Sequence, residues 1–451
     1  MALLAMAAQA YAGGFDLVKD TVGYTDLVTR YGVSLATGSG VRIWQTEFSG
    51  SPLAYVPAPA SLATWGVTMD FGGVSATTSG HADAVGDFLY EGAAPGVTLA
   101  VGTDADAFVG AHGLRVGQGS SPPVFNGTGT YTGIKPLVLN ASWIGTADLP
   151  FTDDTILRRA DGLVAEQGIT MVVGVNNGSS TPLAPALLGQ AYNVIAVGRS
   201  DLQHANGVST ADGLGRVVLD LVAPSTVTSF ATPIVASAAT LLVDKAQSTV
   251  GLGNAVDPQV VRSLLMTGAE KLPGWTHSSI QPTDLIQGAG ELRINHSYDL
   301  LLAGEVAPGI LSGDSGWDLG SIGSDGKSRY TFFHDGGRLT ATLNWNRTIS
   351  SYNSDDTVTP DALINLDLRL YDSDSTGTLG LLLDSSVSPL DNVEHLFENS
   401  LPEGWYSLEL SGPVNSPYGF SFQSIPEIRF PLVAGIVFLV WAWGRHRVKS
   451  D

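Results

Sequence analysis

The sequence predicts an α/β protein with a doubly wound parallel sheet, followed by an all-β sandwich or jelly-roll domain and a C-terminal hydrophobic helix. Three observations carry this. Between Val41 and about Leu302, short apolar runs alternate with helical ones, the pattern of a parallel sheet covered on both faces. Beyond about Pro308 the pattern changes to period-two alternation broken by Asp, Ser, Asn and Gly turns, as in packed antiparallel sheets. The chain ends on an apolar run, Phe430 to Gly444, followed by Arg445, Arg447 and Lys449.

The elements follow in order. "GVRIWQTEF" (40–48), "GVTLAVG" (96–102), "PLVLNASW" (136–143), "GITMVVGV" (168–175) and "NVIAVG" (193–198) read as strands apolar on both faces. "GHADAVGDFLY", "TILRRADGLVAEQG" and "TPIVASAATLLVDKA" read as helices, the last apolar on every side. "RLTATLNWNR", "NLDLRLYDSDS", "LGLLLDSS" and "GWYSLELSG" read as strands of the second domain. At 451 residues the chain exceeds one ordinary domain. The expected divisions are a signal-like N-terminal extension over 1–23, an α/β domain over 24–302, a β domain over 303–424 and an anchor over 425–451.

Composition excludes several classes of function. A net charge of −21 argues against nucleic-acid binding, which requires a basic face. With no cysteine, disulfides, thiolate metal sites and a cysteine nucleophile are excluded. "MALLAMAAQAYAGG", with Ala10-Tyr11-Ala12, reads as the end of a signal peptide. Together with the basic tail this predicts a secreted bacterial surface protein, held at the membrane by its C-terminal helix.

The candidate chemical groups fall at strand ends and helix starts, where a parallel sheet presents its functional edge. Glu47 ends the first strand, His81 opens a helix, Asn140 and Ser142 end the third strand, and Asn176 and Asn177 end the fourth. Ser229 precedes the buried helix. A serine needs a base to become a nucleophile, and His suits that role near neutral pH. The His needs a carboxylate to fix its tautomer, and the developing oxyanion needs preorganised donors. Taken singly each residue also has a plainer reading: Ser229 as a turn or cap, His81 and Glu47 as surface groups, Asn176 as a turn residue.

Taken together, the ordered set resembles the subtilases, the subtilisin-like serine peptidases. Their serine motif G-T-S-M-A-T-P reads here Val227-Thr228-Ser229-Phe230-Ala231-Thr232-Pro233. "HADAVGD" keeps the histidine of H-G-T-H-V-A-G, "LNASWIG" is similar to the substrate-carrying N-x-S-x-G strand, and "GVNNG" is similar to A-G-N-x-G. The resemblance covers roughly residues 24–302. It implies a subtilisin-like fold and a serine endopeptidase. Ser229 would be the nucleophile, His81 the base, Glu47 its orienting acid and Asn176 the oxyanion donor, with Asn177 competing for that last role. Asn140, Ser142 and Gly145 would bind the substrate backbone. Trp143 stands where the family often has a smaller aliphatic residue, which implies a reshaped specificity pocket.

The departures are Glu47 in place of the family's Asp, and Val227 in place of Gly. Asp70 is the other acid near His81, but it lies only 11 residues ahead of it. These departures, and the lack of room for a prodomain ahead of the family-like region, favour a rival reading: a catalytically impaired subtilase-like scaffold used for binding at the cell surface. An amidase or esterase with the same acyl-transfer chemistry is a third reading.

The β domain resembles the bacterial pre-peptidase C-terminal type. The tail resembles a PEP-CTERM sorting signal, with Pro426-Glu427 before the apolar run, which implies sorting machinery as a partner alongside protein or peptide substrates. No cofactor and no metal in the active site are expected. Asp367, Asp372 and Asp374 are candidate calcium ligands, against the simpler reading of turn-forming aspartates.

Overall fold

In a computed structural model, residues 14–48, 54–72, 76–110, 124–125, 129–130, 135–146, 150–178, 187–205, 207–352 and 358–426 are described. The signal-like segment up to Gly13 and the hydrophobic tail from Glu427 onward lie outside the described residues. Among those described, no helix is long and apolar enough to cross a membrane.

The first domain is built on seven parallel strands: β1 Arg42–Glu47, β2 Thr68–Asp70, β3 Leu99–Asp104, β4 Val138–Ala141, β5 Thr170–Gly174, β6 Ile195–Arg199 and β7 Leu221–Ala223. They lie in the order 2-3-1-4-5-6-7. Each residue of β1, β4, β5 and β7 is buried, as the doubly apolar runs predict. Five helices matter here: α1 Gly80–Tyr90, α2 Pro150–Gln167, α3 Thr228–Ser248, α4 Pro258–Thr267 and α5 Ile294–Ala303. Side chains of α1, α3, α4 and α5 pack with Ile43, Val138, Val172 and Ile195 on one face of the sheet. Leu157, Ala160 and Val164 of α2 pack with Trp44, Leu139 and Val173 on the other. α3 is the central element of its layer and lies among α1, α4, α5 and the sheet, which is why its sequence is apolar all round. The strand order reverses at β1, which has β3 on one side and β4 on the other. A crevice at the carboxyl end of such a switch is the usual ligand position in open α/β sheets.

The second domain contains β8 Ser315–Ser321, β9 Lys327–Asn344, β10 Asp367–Ser373, β11 Leu379–Ser386, β12 Val393–Ser411 and β13 Pro417–Pro426. The sequence predicts two stacked sheets. The strands instead form one hydrogen-bonded antiparallel path, 8-13-9-12-10-11, with Gly309–Ile310 added parallel to β9. The cause lies in two long strands. β9 runs 18 residues and β12 runs 19, and each serves both halves of the sheet. β9 changes register between Gly337 and Leu339, where Gly336 (φ 85°) and Gly337 (φ 123°) occupy backbone open to glycine. The bent sheet closes on Tyr330, Phe332, Trp345, Leu368, Leu408 and Phe420.

Candidate active site

Three strand ends and two helix starts build the site. β1 ends on Glu47, which is 1% exposed. α1 begins directly after its cap Ser79, whose Oγ accepts the Ala82 N–H, and this places His81 in the first turn. The His81 Nδ1–H donates to Glu47 Oε2 at 2.7 Å. The extra methylene of Glu relative to Asp therefore spans the gap from β1 to α1. The other Glu47 oxygen, Oε1, accepts from Gln45 Nε2 at 2.9 Å. Gln45 also donates to the Ala82 carbonyl at 3.1 Å and accepts from Tyr90 Oη at 3.1 Å. Strand parity puts Gln45 and Glu47 on one face of β1, so a buried chain runs Tyr90–Gln45–Glu47–His81. Gln45 and Tyr90 carry no motif; their signal was only the two-residue spacing on β1 and the last position of the helix that His81 opens.

The His81 side chain is 44% exposed. Burial of the ring lowers its pKa, but the hydrogen bond and the negative charge of Glu47 outweigh this and hold it above the ordinary value. Asp70, the other acid near His81, is spent on Arg42 at 3.1 Å and on the Gly72 N–H at 2.9 Å.

Ser229 is the second residue of α3, whose opening turn is arranged around it. The Thr228 N–H donates to Asn177 Oδ1 at 2.8 Å, and the Phe230 and Ala231 N–H groups donate to the Val227 carbonyl. Among the described residues the Ser229 N–H has no such partner, as expected of a first-turn donor. Pro233 has no N–H to give the Ser229 carbonyl. Val227, the cap residue, has φ −144° and ψ 150°, extended backbone open to any residue, so the Gly-to-Val departure demands no special conformation.

Among the described residues, no hydrogen bond joins Ser229 to His81. The two residues are linked through Phe230, whose ring stacks on the imidazole at 6.4 Å and on Phe88 at 5.2 Å. Bonds of this kind commonly tighten only when substrate is bound.

A cleft enclosing about 210 Å³ of open space runs beside Ser229, between Ser142 and Trp143 on one side and Gly174, Val175 and Asn177 on the other. The other expected site residues lie as follows. Asn177 lines the cleft and Asn176 does not; the Asn176 carbonyl accepts the Ala205 N–H at 2.9 Å. Asn140 is fully buried and donates to Ser142 Oγ at 2.9 Å, so it orients Ser142 instead of meeting substrate. Gly145 spends both backbone groups on Leu187, at 3.1 and 3.0 Å. Ser142 itself lines the cleft.

The candidate calcium ligands do not converge either. Asp367 pairs with Arg369, Asp372 accepts the Leu381 N–H, and Asp374 accepts from Thr376 and Thr378. Among the described residues no group of three or more His, Cys, Asp or Glu is placed to hold a metal ion.

No protein-family model and no curated protein matches this chain. Among solved structures, the serine protease of Aeromonas sobria is similar over 86% of this chain and 88% of its own, at 13% identity and a TM-score of 0.38. The same protease in complex with its chaperone covers 85% and 87%, at 13% identity and a TM-score of 0.39. A protease of Pseudoalteromonas arctica covers 60% of this chain and 92% of its own, at 15% identity and a TM-score of 0.35. Likeness at this level says nothing about chemistry, which rests on the site itself.

Proposed function

We propose that this chain is a serine endopeptidase of the subtilase kind with a Ser-His-Glu triad. The observation that carries the reading is the 2.7 Å contact between buried Glu47 and His81 Nδ1, on the sheet edge where α3 presents Ser229. With Nδ1–H committed to Glu47, Nε2 is the nitrogen left to accept a proton. Ser229 Oγ bonds to the scissile carbonyl carbon as His81 takes its proton. The carbonyl oxygen gains the negative charge, met by the Ser229 N–H and the Asn177 amide. The carbon–nitrogen bond then breaks, and His81 returns the proton to the leaving amine. Water repeats the sequence on the acyl-enzyme, releasing the acid and restoring Ser229.

Asn177 replaces Asn176 in this scheme because its Oδ1 is held by the Thr228 N–H, which leaves its NH₂ as the group to donate. Extracytoplasmic action, the sorting tail and its machinery belong to the same proposal and rest on sequence resemblance.

A fluorophosphonate probe tests the reading. Covalent labelling of the full chain, lost in Ser229→Ala and strongly slowed in His81→Ala, is the expected result. Well-folded protein that takes no label would instead favour the binding scaffold. Label with turnover of esters but not of peptides would favour the esterase.

A further inference from the structure

Trp143 lines the cleft beside Ser229. The indole is 8% exposed. Its Nε1–H donates to Thr46 Oγ1 at 2.9 Å, and that hydroxyl donates in turn to the Asn140 carbonyl at 3.2 Å. The ring belongs to the cluster of Ile156, Leu157, Val175 and Leu187 beneath the sheet. A methyl group placed on Gly145 would lie 4.0 Å from both Trp143 and Leu187. Leu187 is itself tied back to Gly145 through both backbone groups. Held by a hydrogen bond at its edge and by packing on its face, Trp143 is not free to swing aside. The space beside it, open mouth included, is about 210 Å³.

The chemistry assigns this cleft to the acyl side of the substrate. The leaving amine must receive its proton from His81, and His81 does not line the cleft. The side chain on the residue that stays bonded to Ser229 therefore occupies it. Among the described residues, its lining carries no charged side chain, so a buried ionic partner is not offered to Lys, Arg, Asp or Glu.

We propose that Trp143 is the specificity-determining residue of this site and restricts cleavage to peptide bonds that follow a short uncharged residue: glycine, alanine or serine. This rests on the serine-peptidase reading above. The test uses the full chain and peptide substrates that differ only at the residue before the scissile bond, with Gly, Ala, Ser, Leu, Phe or Lys in turn. We expect kcat/KM at least tenfold higher for Ala than for Phe, since even single methylene groups are discriminated by about 10- to 200-fold. In Trp143→Ala the Phe-to-Ala ratio should rise tenfold or more, with Trp143→Leu between. Fluorophosphonate labelling separates the two levels. Wild-type protein that neither labels nor cleaves overturns the peptidase reading. Labelled wild-type protein that cleaves after Phe as well as after Ala, or cleaves none of the peptides, overturns the pocket assignment alone. So does an unchanged ratio in either Trp143 variant. If Trp143→Ala melts out, the wild-type ratio and Trp143→Leu still decide.

Discussion

At the scale of single residues, the proposed triad turns on a glutamate standing where the subtilases have an aspartate. Glu47 is longer and loses more rotamer freedom when fixed, and Gln45 fixes it by engaging the oxygen that His81 does not. Glu47→Gln keeps the shape but removes the charge that favours protonated His81. We expect kcat to fall by on the order of 10⁴-fold, as in other triads that lose this charge. The acid limb of the kcat/KM profile should also move down, because Glu47 holds the His81 pKa above its ordinary value and activity requires neutral His81. A pH-rate profile of the residual activity checks the sign. Gln45→Leu strands a buried carboxylate oxygen, a cost of about 1–3 kcal/mol. We expect a five- to hundredfold loss in kcat with KM little changed, and Tyr90→Phe should be milder, about 1 kcal/mol. A Gln45→Leu variant with wild-type kcat would show that Glu47 needs no support.

At the scale of elements, the decisive contact lies between β5 and the first turn of α3. Gly174 faces this turn so closely that a methyl group there would sit 2.8 Å from Thr232 Oγ1. Thr232 in turn donates to the Thr228 carbonyl at 2.8 Å, one residue before Ser229. Gly174→Ala must therefore displace the turn that carries Ser229. We expect about 1–3 kcal/mol of destabilisation, the usual cost of overpacking, together with slower fluorophosphonate labelling. Urea unfolding and labelling rate, measured on the same sample, check both. A variant that is destabilised but labels at the wild-type rate would show that the turn's geometry does not depend on this packing. The strands and helices themselves were legible beforehand because their apolar periods are strong: the helix read over 80–90 is α1, and 40–48 contains β1. The choice between Asn176 and Asn177 was not legible, because adjacent residues share a motif but not a direction; Asn177 is the one that lines the cleft.

At the scale of the whole molecule, the β domain is fastened to the α/β domain by buried polar contacts. Arg347, leaving β9, bridges Asp161 of α2 and Asp212. Tyr192 lies between the guanidinium groups of Arg347 and Arg216, at 4.4 and 4.2 Å. Thr267 of α4 bonds to Thr342 at 2.8 Å, and Gly419 lies against the Gln259 backbone. We expect the two domains to unfold in one calorimetric transition, with Arg347→Met lowering stability by about 3–5 kcal/mol because it leaves Asp161 buried without its cation. Burial already raises the Asp161 pKa, against the opposing pull of Arg347, so loss of Arg347 raises it further. A carboxyl group with a raised folded-state pKa destabilises the fold above its unfolded-state pKa and ceases to do so once protonated. The deficit of Arg347→Met should therefore shrink as pH falls toward about 4, the ordinary Asp value. A deficit independent of pH would locate the cost elsewhere.

The sequence by itself determined the parallel-sheet class, the change to β structure after about Pro308, and the order Glu47, His81, Asn, Ser229 along one sheet edge. These are local properties: hydrophobic period, and which residue types stand at the ends of strands and the starts of helices. Tertiary structure alone decided that Glu47 reaches His81, that Gln45 and Tyr90 stand behind it, that Asn177 and not Asn176 faces the cleft, and that Asn140 and Gly145 serve the scaffold. It also decided that the long strands β9 and β12 join the β domain's strands into one hydrogen-bonded path. These depend on where elements distant in sequence come to lie, and on which hydrogen-bonding groups are already spent when they meet. No pattern along the chain records those distances.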